Sequence, residues 1–187
     1  MIVISGKYRG RKLKALEGKN TRPTSARVKE DMFNILSNYF IYEGKTSLDL
    51  FGGSGALSIE GLSRGVKFAY INDHFPAAIQ VIKENLKGID QQSYALSQLD
   101  YGELLETLEN KGVQVDLIYL DPPFPHIEYY YDFFNRVLNY NLLKEWGIIM
   151  TETPELLDFT KLPELSLLKY KDWKNKHLYF FRLERGV

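Results

Sequence analysis

The sequence predicts an α/β fold built on a mainly parallel sheet. Short apolar runs alternate with segments whose apolar residues recur every three or four positions, which is the order typical of strands joined by crossover helices. Residues 52–55, a glycine-rich stretch, directly follow one apolar run, and the residues Asp-Pro-Pro-Phe at 121–124 follow another. Because ligands of open α/β sheets lie beyond the carboxyl ends of the strands, both stretches are candidate functional sites.

The N-terminal part of the chain predicts a short strand and one helix. Residues 2–4 are strand-like, and the turn-rich, basic residues 5–20 follow them. Thr24 and Ser25 are suited to cap a helix that runs to residue 40, because their side-chain oxygens can accept the first helical N–H groups. The apolar residues of this helix recur at helical spacing, which predicts one buried face.

The rest of the chain predicts alternating strands and helices. The predicted strands span residues 47–51, 68–71, 94–97, 115–120 and 147–151. The predicted helices span residues 56–64, 76–86, 100–111 and 127–138. Gly65 marks the end of the first of these helices, and Pro76 opens the second at a position that tolerates proline. Residues 165–170 and 178–183 close the chain as an antiparallel pair, which completes a seven-stranded, mainly parallel sheet.

The composition indicates a single domain. With 187 residues, of which 44% are hydrophobic, the chain can fill one core and is short for two. We expect one domain over 1–187, with a basic extension at 1–29 and a catalytic core at 46–187. The chain lacks a run of eighteen apolar residues, and its apolar start is too short for a signal peptide. With no cysteine and three histidines outside any metal-ligand spacing, we expect no metal site, and the lack of cysteine fits a cytoplasmic location. The sequence carries no signal of oligomeric state, so a monomer is the default expectation.

Charge is distributed unevenly, although the net charge is zero. Residues 1–29 carry nine Lys or Arg against one acid, a net +8, and residues 169–187 carry six against two, a net +4. The segment between them therefore carries −12. Basic ends on an acidic body favour a polyanionic partner, although a solvated basic arm has the same composition.

Three strand ends carry residues suited to an adenosine-containing cofactor. After Asp49, the glycines of residues 52–55 let the backbone approach a ligand closely, and the following helix offers N–H groups. Asp73, 24 positions after Asp49, can accept hydrogen bonds from two ribose hydroxyls. The loop lacks the third glycine of the dinucleotide pattern and is similar to the loop that holds S-adenosylmethionine in methyltransferases. Asp100 would then meet the adenine amine, although an acid before a helix is also a common N-cap and a glycine loop a common tight turn.

Residues 121–124 combine an acid, two prolines and an aromatic ring. Each proline lacks a backbone N–H and fixes φ near about −65°, so the segment is a rigid, extended turn. It presents the carboxylate of Asp121, the carbonyl of Pro122 and the ring of Phe124. These groups suit a planar base with an exocyclic amine, although a stiff turn with a capping Asp uses the same residue types.

Four motifs together resemble those of one family. Two belong to the core: DLFGGSGALSIEGLSRG at residues 49–65 and DPPF at 121–124. Two lie in or next to the basic extension at 1–29, which we call the basic head: ISGKYRGRKL at 4–13, and TRPT at 21–24 followed by Arg27, Val28 and Glu30. The chain resembles, over nearly its whole length, the RsmD family of bacterial 16S rRNA guanine-N2 methyltransferases. The head motifs make this resemblance more specific than either core motif does.

The resemblance implies a Rossmann-like class I methyltransferase fold, S-adenosylmethionine as cofactor, and 16S rRNA or the 30S subunit as substrate and partner. The implied cofactor-binding residues are Asp49, Phe51, Gly52, Gly53, Gly55, Asp73 and Asp100. The implied guanine-binding and catalytic residues are Asp121, Pro122, Pro123 and Phe124. The implied RNA-binding residues are Lys7, Arg9, Arg11 and Lys12, with Arg22 and Thr24 closer to the active site.

The chain departs from the family pattern at three places. Gly52 stands where alanine is usual, which we expect to be harmless in a close-packed loop. Asn72-Asp73-His74 stands where the family usually has a glutamate after an aliphatic residue, so the shorter Asp73 would shift the ribose contact or Asn72 would share it. Residues 175–177 are Asn-Lys-His where relatives tend to have a Tyr-Gly pair, and we assign no site residue to this tail.

Two other functions fit parts of the sequence. The residues at 121–124 would also serve a methyltransferase acting on adenine N6 or cytosine N4 of DNA or another RNA. The matching basic head argues against that activity, and the chain has no room for a separate DNA-recognition domain. A non-catalytic rRNA-binding assembly factor would share the fold, but all the candidate site residues of an enzyme are present.

Overall fold

A computed structural model describes residues 1–18, 26–173 and 176–186. Its helices are α1 (Ala26–Leu36), α2 (Ala56–Arg64), α3 (Pro76–Leu86), α4 (Tyr101–Asn110) and α5 (Glu128–Asn139). Its strands are β1 (Thr46–Asp49), β2 (Phe68–Asn72), β3 (Tyr94–Ser97), β4 (Val115–Leu120), β5 (Leu143–Thr153), β6 (Leu165–Trp173) and β7 (Lys176–Leu183). The sheet order is β3-β2-β1-β4-β5-β7-β6, with β7 antiparallel to both of its neighbours. The predicted α/β fold with a seven-stranded sheet and a C-terminal antiparallel hairpin is confirmed.

Most predicted element bounds agree with the structure. The bounds of α2, α3, β3 and β4 are those predicted. Helix α1 ends at Leu36 instead of residue 40, because the N–H groups of Asn38 and Tyr39 bond to carbonyls three residues back, as in a 3-10 turn. Strand β5 begins earlier than predicted, at Leu143, and its pairing with β4 shifts at a bulge. The predicted capping residues of α1, Thr24 and Ser25, lie outside the described residues.

The chain divides into two compact units, Met1–Tyr101 and Gly102–Val187. In the first unit, β2 pairs in parallel with both β1 and β3, so the carboxyl ends of the three strands lie at one edge. Leu48, Ala69 and Ile71 on these strands are fully buried, as is typical of parallel strands in a core. The candidate cofactor residues at the ends of β1 and β2 therefore lie at the same edge.

Residues 1–13 form a small N-terminal hairpin. Ile2 and Lys12 form an isolated antiparallel bridge, and the N–H of Val3 donates to the carbonyl of Arg11. Val3 and Leu13 are buried. The strand predicted at residues 2–4 is therefore reduced to one bridge, because glycines at positive φ turn the chain back immediately after it.

The N-terminal hairpin is docked on α2. The N–H of Lys7 donates to the carbonyl of Ser63 at 2.8 Å, and the N–H of Tyr8 donates to the Ser63 hydroxyl at 2.9 Å. That hydroxyl in turn donates to the carbonyl of Ser5 at 2.6 Å. Gly6, at φ +89°, lies so close that a Cβ there would be 1.8 Å from the Ser63 carbonyl oxygen. The basic head is thus packed against the core over these residues and is not a solvated arm.

A buried ionic cluster secures the same contact. The carboxylate of Glu60 on α2 accepts hydrogen bonds from the N–H groups of Ile4 and Ser5, at 3.0 and 3.1 Å. The Lys29 ammonium lies 3.0 Å from Glu60 Oε2, and both side chains are fully buried. Arg64 adds a bond from its Nε to Glu60 Oε1 at 3.0 Å. One carboxylate therefore links α1, α2 and the N-terminal hairpin.

In the second unit, β4 and β5 are parallel, and the antiparallel β7 and β6 follow. Phe133 and Phe134 of α5 and Phe180 of β7 are fully buried, which gives this unit an aromatic core. At the tail, the Tyr170 hydroxyl and His177 Nδ1 are hydrogen bonded at 2.9 Å, while residue 175 lies outside the described ranges. No helix within the described ranges has the length and apolarity needed to cross a bilayer.

Candidate active site

The glycine loop connects the end of β1 directly to α2. Gly53 and Gly55 have φ of +59° and +78°, a region in which side chains other than glycine are strained. The N–H of Gly55 donates to the carbonyl of Gly52 at 2.7 Å, which closes a tight turn before the helix begins. Gly55 is the N-cap of α2 and has no side chain to cap it, so the first turn of the helix presents backbone N–H groups.

The two sides of the loop differ in the space around them. A Cβ on Gly53 would meet no atom within 4 Å, so the backbone there borders open space. A Cβ on Gly52 would lie 3.1 Å from both the Asn72 carbonyl oxygen and Ile82 Cδ1. An alanine at position 52 therefore needs a shift of a few tenths of an ångström, so the expectation of a harmless exchange holds only if these neighbours move.

Asp73 holds the loop and its own turn at the end of β2. Its Oδ2 accepts from the N–H of Gly53 at 2.9 Å, and its Oδ1 accepts from the N–H of Phe75 at 3.0 Å. The residue is 7% exposed. An ionised carboxylate has about four acceptor positions, so these two bonds leave capacity for ligand hydroxyls. The shorter side chain of aspartate thus fixes the glycine loop, and its remaining acceptor positions are those that the predicted ribose contact would use.

Asn72 has a different role from the one that the sequence suggests. Its amide donates to the carbonyls of Leu50 and Leu99, at 3.2 and 2.9 Å. Its carbonyl oxygen accepts from the Ser97 hydroxyl at 2.8 Å and from the N–H of Leu99 at 3.0 Å. Both amide hydrogens and both acceptor positions are used, and the residue is 1% exposed. Asn72 therefore ties the ends of β1 and β3 together and is not placed to share a ribose contact.

The other predicted cofactor residues surround the same edge. Asp49 is buried and accepts a hydrogen bond from the Ser58 hydroxyl of α2 at 3.2 Å. Phe51 is half-buried, with its ring centroid 5.7 Å from that of Tyr101. Asp100 is exposed and directly precedes α4. The structure thus brings the acids at the ends of β1, β2 and β3 to one edge of the first unit.

This arrangement fits S-adenosylmethionine. The N-terminus of α2 attracts the carboxylate of an amino acid, because its N–H groups and helix dipole favour negative charge. The open space beside Gly53 admits a ligand against the backbone. The Asp73 carboxylate is suited to a diol, and Asp100 is an exposed acceptor for an amine. The residues would hold the amino-acid, ribose and adenine parts in that order.

Replacing Asp73 with asparagine is expected to weaken S-adenosylmethionine binding about 10- to 100-fold, because hydrogen bonds to a charged group are worth roughly 1.5–3 kcal/mol. Isothermal titration calorimetry measures the change. Asp90→Asn is the matched control, since the Asp90 carboxylate also accepts the N–H two residues on, that of Gln92, at an exposed site. Equal cofactor affinities for the Asp73→Asn and Asp90→Asn proteins would remove the ribose role of Asp73.

The second unit carries the other predicted group, residues 121–124, directly after β4. Asp121 and Phe124 are half-buried, Pro122 is buried and Pro123 is exposed. All peptide bonds of the described residues are trans, so the two prolines extend the chain as predicted. The segment leads within a few residues into α5, which begins at Glu128.

Tyr130 of α5 supports this segment from inside the second unit. Its ring meets the Phe124 ring edge-on, with centroids 5.4 Å apart and planes at 87°. Its hydroxyl donates to the carbonyl of Glu152 at 3.2 Å. Burial, and secondarily the negative charge of Asp121, raise the pKa of Tyr130. The phenol therefore keeps its proton, and Tyr130 holds Phe124 in a defined orientation beside the carboxylate.

The predicted RNA-binding residues of the N-terminal hairpin fall into two groups. Lys7, Arg9 and Lys12 are exposed. Arg11 is half-buried, and its guanidinium donates to the carbonyl of Asn85 at 2.9 Å and to that of Lys87, at the C-terminal end of α3. Arg11 therefore has a structural partner in addition to its predicted role. Arg22 and Thr24 lie outside the described residues.

Several residues that shape the site were not predicted. Asn85 donates to the carbonyl of Ser54 in the glycine loop at 2.8 Å and to that of Lys14 at 2.9 Å, and it accepts from the Lys14 N–H. It therefore connects the chain after the N-terminal hairpin to the cofactor loop. The buried pair of Lys29 and Glu60 was not predicted either. Its signal in the sequence is that each charge interrupts an apolar helix face, where a charged residue is buried only if it is paired.

Comparison with known proteins identifies one family. The model of the family described as "Conserved hypothetical protein 95" matches residues 1–182. The putative rRNA methyltransferase YlbH of Bacillus subtilis is 39% identical over 153 residues, which are 81% of this chain and 82% of that protein. The ribosomal RNA small subunit methyltransferase D of Haemophilus influenzae is 33% identical over 171 residues, 90% of this chain and 86% of that protein.

Solved structures agree with this result. The putative methyltransferase yhhF of Escherichia coli has a TM-score of 0.80 and 26% identity, over 100% of this chain and 99% of that chain. The fold is shared with SMU.776, a putative methyltransferase complexed with SAH, at a TM-score of 0.70 and 15% identity, over 88% of this chain and 50% of that one. The Rossmann-like methyltransferase fold and the S-adenosylmethionine cofactor predicted for it are confirmed. The family model and the two relatives together show that this chain belongs to the RsmD family.

Proposed function

We propose that the protein transfers a methyl group from S-adenosylmethionine to the exocyclic N2 amine of one guanine in 16S rRNA. The observation that carries the proposal is the geometry of the segment 121–124. Its Phe124 ring packs edge-on against Tyr130 of α5, and its Asp121 is half-buried. The proposed substrate is the rRNA of the small subunit, naked or partly assembled. The proposed location of the protein is accordingly the cytoplasm. The rRNA named for the two relatives supports this substrate.

The chemistry follows from the weakness of the N2 amine as a nucleophile. Its lone pair is delocalised into the guanine ring, and hydrogen-bond acceptors on both N–H groups favour the pyramidal nitrogen that can attack. In our proposal the Asp121 carboxylate and the Pro122 carbonyl accept these two hydrogens, and Phe124 stacks on the base. S-adenosylmethionine supplies a methyl group that is electrophilic because it is bound to a sulfonium. The proton released from the product nitrogen passes to Asp121 or to water.

Positioning supplies most of the proposed rate enhancement. Rigid placement of the amine by three neighbouring residues converts an encounter in solution into a fixed approach, which is worth several kcal/mol of barrier. The guanine must leave its stack to reach the segment, at a cost of a few kcal/mol. Contacts between basic side chains and phosphates offset that cost and make binding depend on salt.

Neutralising the exposed cations of the N-terminal hairpin tests the proposed RNA contact. The triple variant Lys7→Gln, Arg9→Gln, Lys12→Gln is expected to bind 16S rRNA more weakly. The negative slope of log K against log salt is expected to become shallower by about 0.7–0.9 for each phosphate that is no longer neutralised. Filter binding over a salt series measures both quantities. Cofactor affinity is expected to stay unchanged, because none of the three side chains touches the glycine loop in the described structure.

A matched control separates a local contact from a general loss of charge. The triple variant Lys67→Gln, Lys83→Gln, Lys111→Gln removes the same charge from exposed positions outside both basic ends of the chain. An identical salt slope for the two triple variants would show that the N-terminal hairpin is not the RNA anchor. Truncation of residues 1–20 is unsuited to this purpose, because it removes partners of the buried Glu60.

Two rival functions make different predictions. A methyltransferase acting on adenine N6 or cytosine N4 would use the same Asp-Pro-Pro-Phe segment and would place the methyl group on another base. A non-catalytic assembly factor with this fold would bind rRNA without the cofactor. Calorimetric titration with S-adenosylmethionine distinguishes the latter, since our proposal predicts binding and the assembly factor predicts no heat at millimolar cofactor.

A further inference from the structure

An exposed aromatic surface continues from the proposed guanine-binding ring. The Tyr129 ring centroid lies 5.5 Å from that of Phe124, and the His126 ring centroid lies 6.3 Å from that of Tyr129. The planes of successive rings differ by 40° and 30°, in contrast with the 87° between Phe124 and the buried Tyr130. We call Phe124, His126 and Tyr129 the aromatic row.

The solvent-facing side of α5 does not require an aromatic residue at position 129. Its side chain is 46% exposed, whereas the next residue along α5, Tyr130, is 2% exposed and fills the core. An aromatic ring left partly in water beside a candidate site is typical of a binding surface, because its burial on contact is strongly favourable. His126 is exposed as well.

The backbone that carries the aromatic row is restricted. Pro122, Pro123 and Pro125 flank Phe124 and restrict the backbone, and Tyr129 lies in the first turn of α5. A tyrosine has only two side-chain torsions to fix, so a contact made by it costs little conformational entropy. The backbone positions of Phe124 and Tyr129 are therefore restricted before any ligand binds.

The local charge selects among possible occupants. Residues 115–135 contain no Lys or Arg, and the acidic Glu128 directly precedes Tyr129. The nearby Asp132 is paired with Arg136 at 3.0 Å, and Lys161 lies over the ring of Tyr131, so the cations of this region already have partners. The aromatic row itself carries no lysine or arginine to attract a phosphate, whereas a nucleobase is planar and uncharged and stacks on an aromatic ring whatever its identity. The surface therefore suits a base more than the backbone of a nucleic acid.

We propose that the aromatic row binds a second base of the substrate RNA, that of a nucleotide flanking the target guanine, by stacking on Tyr129. This inference rests on the proposed function. In this arrangement Phe124 stacks on the guanine. Tyr129 stacks on the neighbouring base after that base and the guanine have separated from each other. Stacking of the neighbour replaces part of the stacking that the guanine gives up when it leaves its helix.

The test compares RNA binding and single-turnover methyl transfer for Tyr129→Ala, Tyr129→Phe and the wild type. The substrate is 16S rRNA with its methylated guanine mapped. Tyr129→Ala is expected to weaken RNA affinity roughly 5- to 100-fold, the range for one base–aromatic stack, and Tyr129→Phe is expected to restore it. S-adenosylmethionine affinity is expected to stay unchanged. Tyr39→Ala is the matched control, because Tyr39 is 37% exposed and belongs to the other unit.

An abasic nucleotide in the substrate identifies the partner of Tyr129. One substrate lacks the base on the 5′ side of the guanine, and a second lacks the base on the 3′ side. One of the two losses should weaken wild-type binding by the same factor as Tyr129→Ala, and it should cause no additional loss in that variant. A full additional loss in Tyr129→Ala would overturn the inference. So would a Tyr129→Ala defect that is seen only with assembled subunits, which would assign the surface to a ribosomal protein.

The two levels of the proposal fail in distinguishable ways. If the wild type methylates the guanine and Tyr129→Ala binds and methylates equally well, the aromatic row is not a base site, although the proposed function stands. If the wild type transfers no methyl group to any RNA, the proposed function falls and the inference falls with it.

Discussion

Replacing Asp121 with alanine is expected to slow methyl transfer about a hundredfold or more, while S-adenosylmethionine binding stays within severalfold. The carboxylate is assigned to one N–H of the guanine amine, and its removal frees the nitrogen to return to its planar, unreactive form. A misplacement of about 1 Å at a reacting atom is enough for an effect of this size. Single-turnover transfer of a labelled methyl group, with calorimetry of the cofactor, measures both quantities.

Asp116→Ala is the matched control for this experiment. Asp116 lies on β4, the strand that Asp121 follows, and its carboxylate pairs with Lys144 at 3.4 Å near the surface. Removal of that carboxylate should leave turnover unchanged, because Asp116 lies near the start of β4, five residues before Asp121. Asp121→Asn should fall between wild type and alanine, since an amide oxygen still accepts one hydrogen bond. Near-normal turnover of Asp121→Ala would exclude the role that we assign to this residue.

The second large effect concerns stability. Lys29→Met is expected to lower the free energy of unfolding by about 3–5 kcal/mol, the usual cost of leaving a buried charge without its partner. Glu60 would retain Arg64 and the two backbone donors, but its fully buried carboxylate would lose the ammonium that lies 3.0 Å away. Urea unfolding followed by circular dichroism measures the decrease.

A double-mutant cycle shows whether the decrease belongs to the pair. Lys29→Met with Glu60→Gln should cost less than the sum of the single changes, because the second substitution removes the charge that the first leaves unpaired. Glu84→Gln is the control, since Glu84 makes exposed pairs with Lys87 and Lys14 and should leave the unfolding midpoint unchanged. Strict additivity of the two buried changes would mean that Lys29 and Glu60 act independently.

The same cluster gives stability a defined pH dependence. Burial raises the pKa of the Glu60 carboxyl, but the N–H of Ile4 and the Lys29 ammonium outweigh burial and hold the pKa below its usual range. The folded protein therefore binds this proton less readily than the unfolded chain does. The contribution of Glu60 is complete above the pKa of the unfolded chain and is lost as the pH falls through the lower, folded pKa. The difference between the wild type and Glu60→Gln should accordingly narrow on acidification.

Periodicity and turn residues were enough to predict most elements. Strand β4 and helices α2 and α3 could be bounded because a short apolar run, Gly65 and Pro76 mark their limits. The bulge that precedes the predicted start of β5 could not be predicted, because it depends on pairing with a strand more than twenty residues away. Likewise, the hairpin at residues 1–13 depends on its contact with α2.

The candidate site was predictable where chemistry requires particular residue types. Asp73 and the segment 121–124 have few equivalent replacements, so their types and positions pointed to a ligand. The roles of Asn72 and Asn85 could not be predicted, because an asparagine at a strand end or in a helix gives no indication of which distant carbonyls it will meet. These contacts exist only after the strands and loops are assembled.

The most direct test of the proposed function is to locate the transferred methyl group. Purified protein, S-adenosylmethionine with a labelled methyl group, and 16S rRNA or 30S subunits from a strain that lacks the protein are incubated together. The RNA is then digested and analysed by mass spectrometry. We predict one N2-methylguanosine, at a single position, in reactions with the wild type, and about a hundredfold slower or slower still formation of it with Asp121→Ala. A label on adenine N6 or cytosine N4, or the absence of any label, would contradict the proposed function.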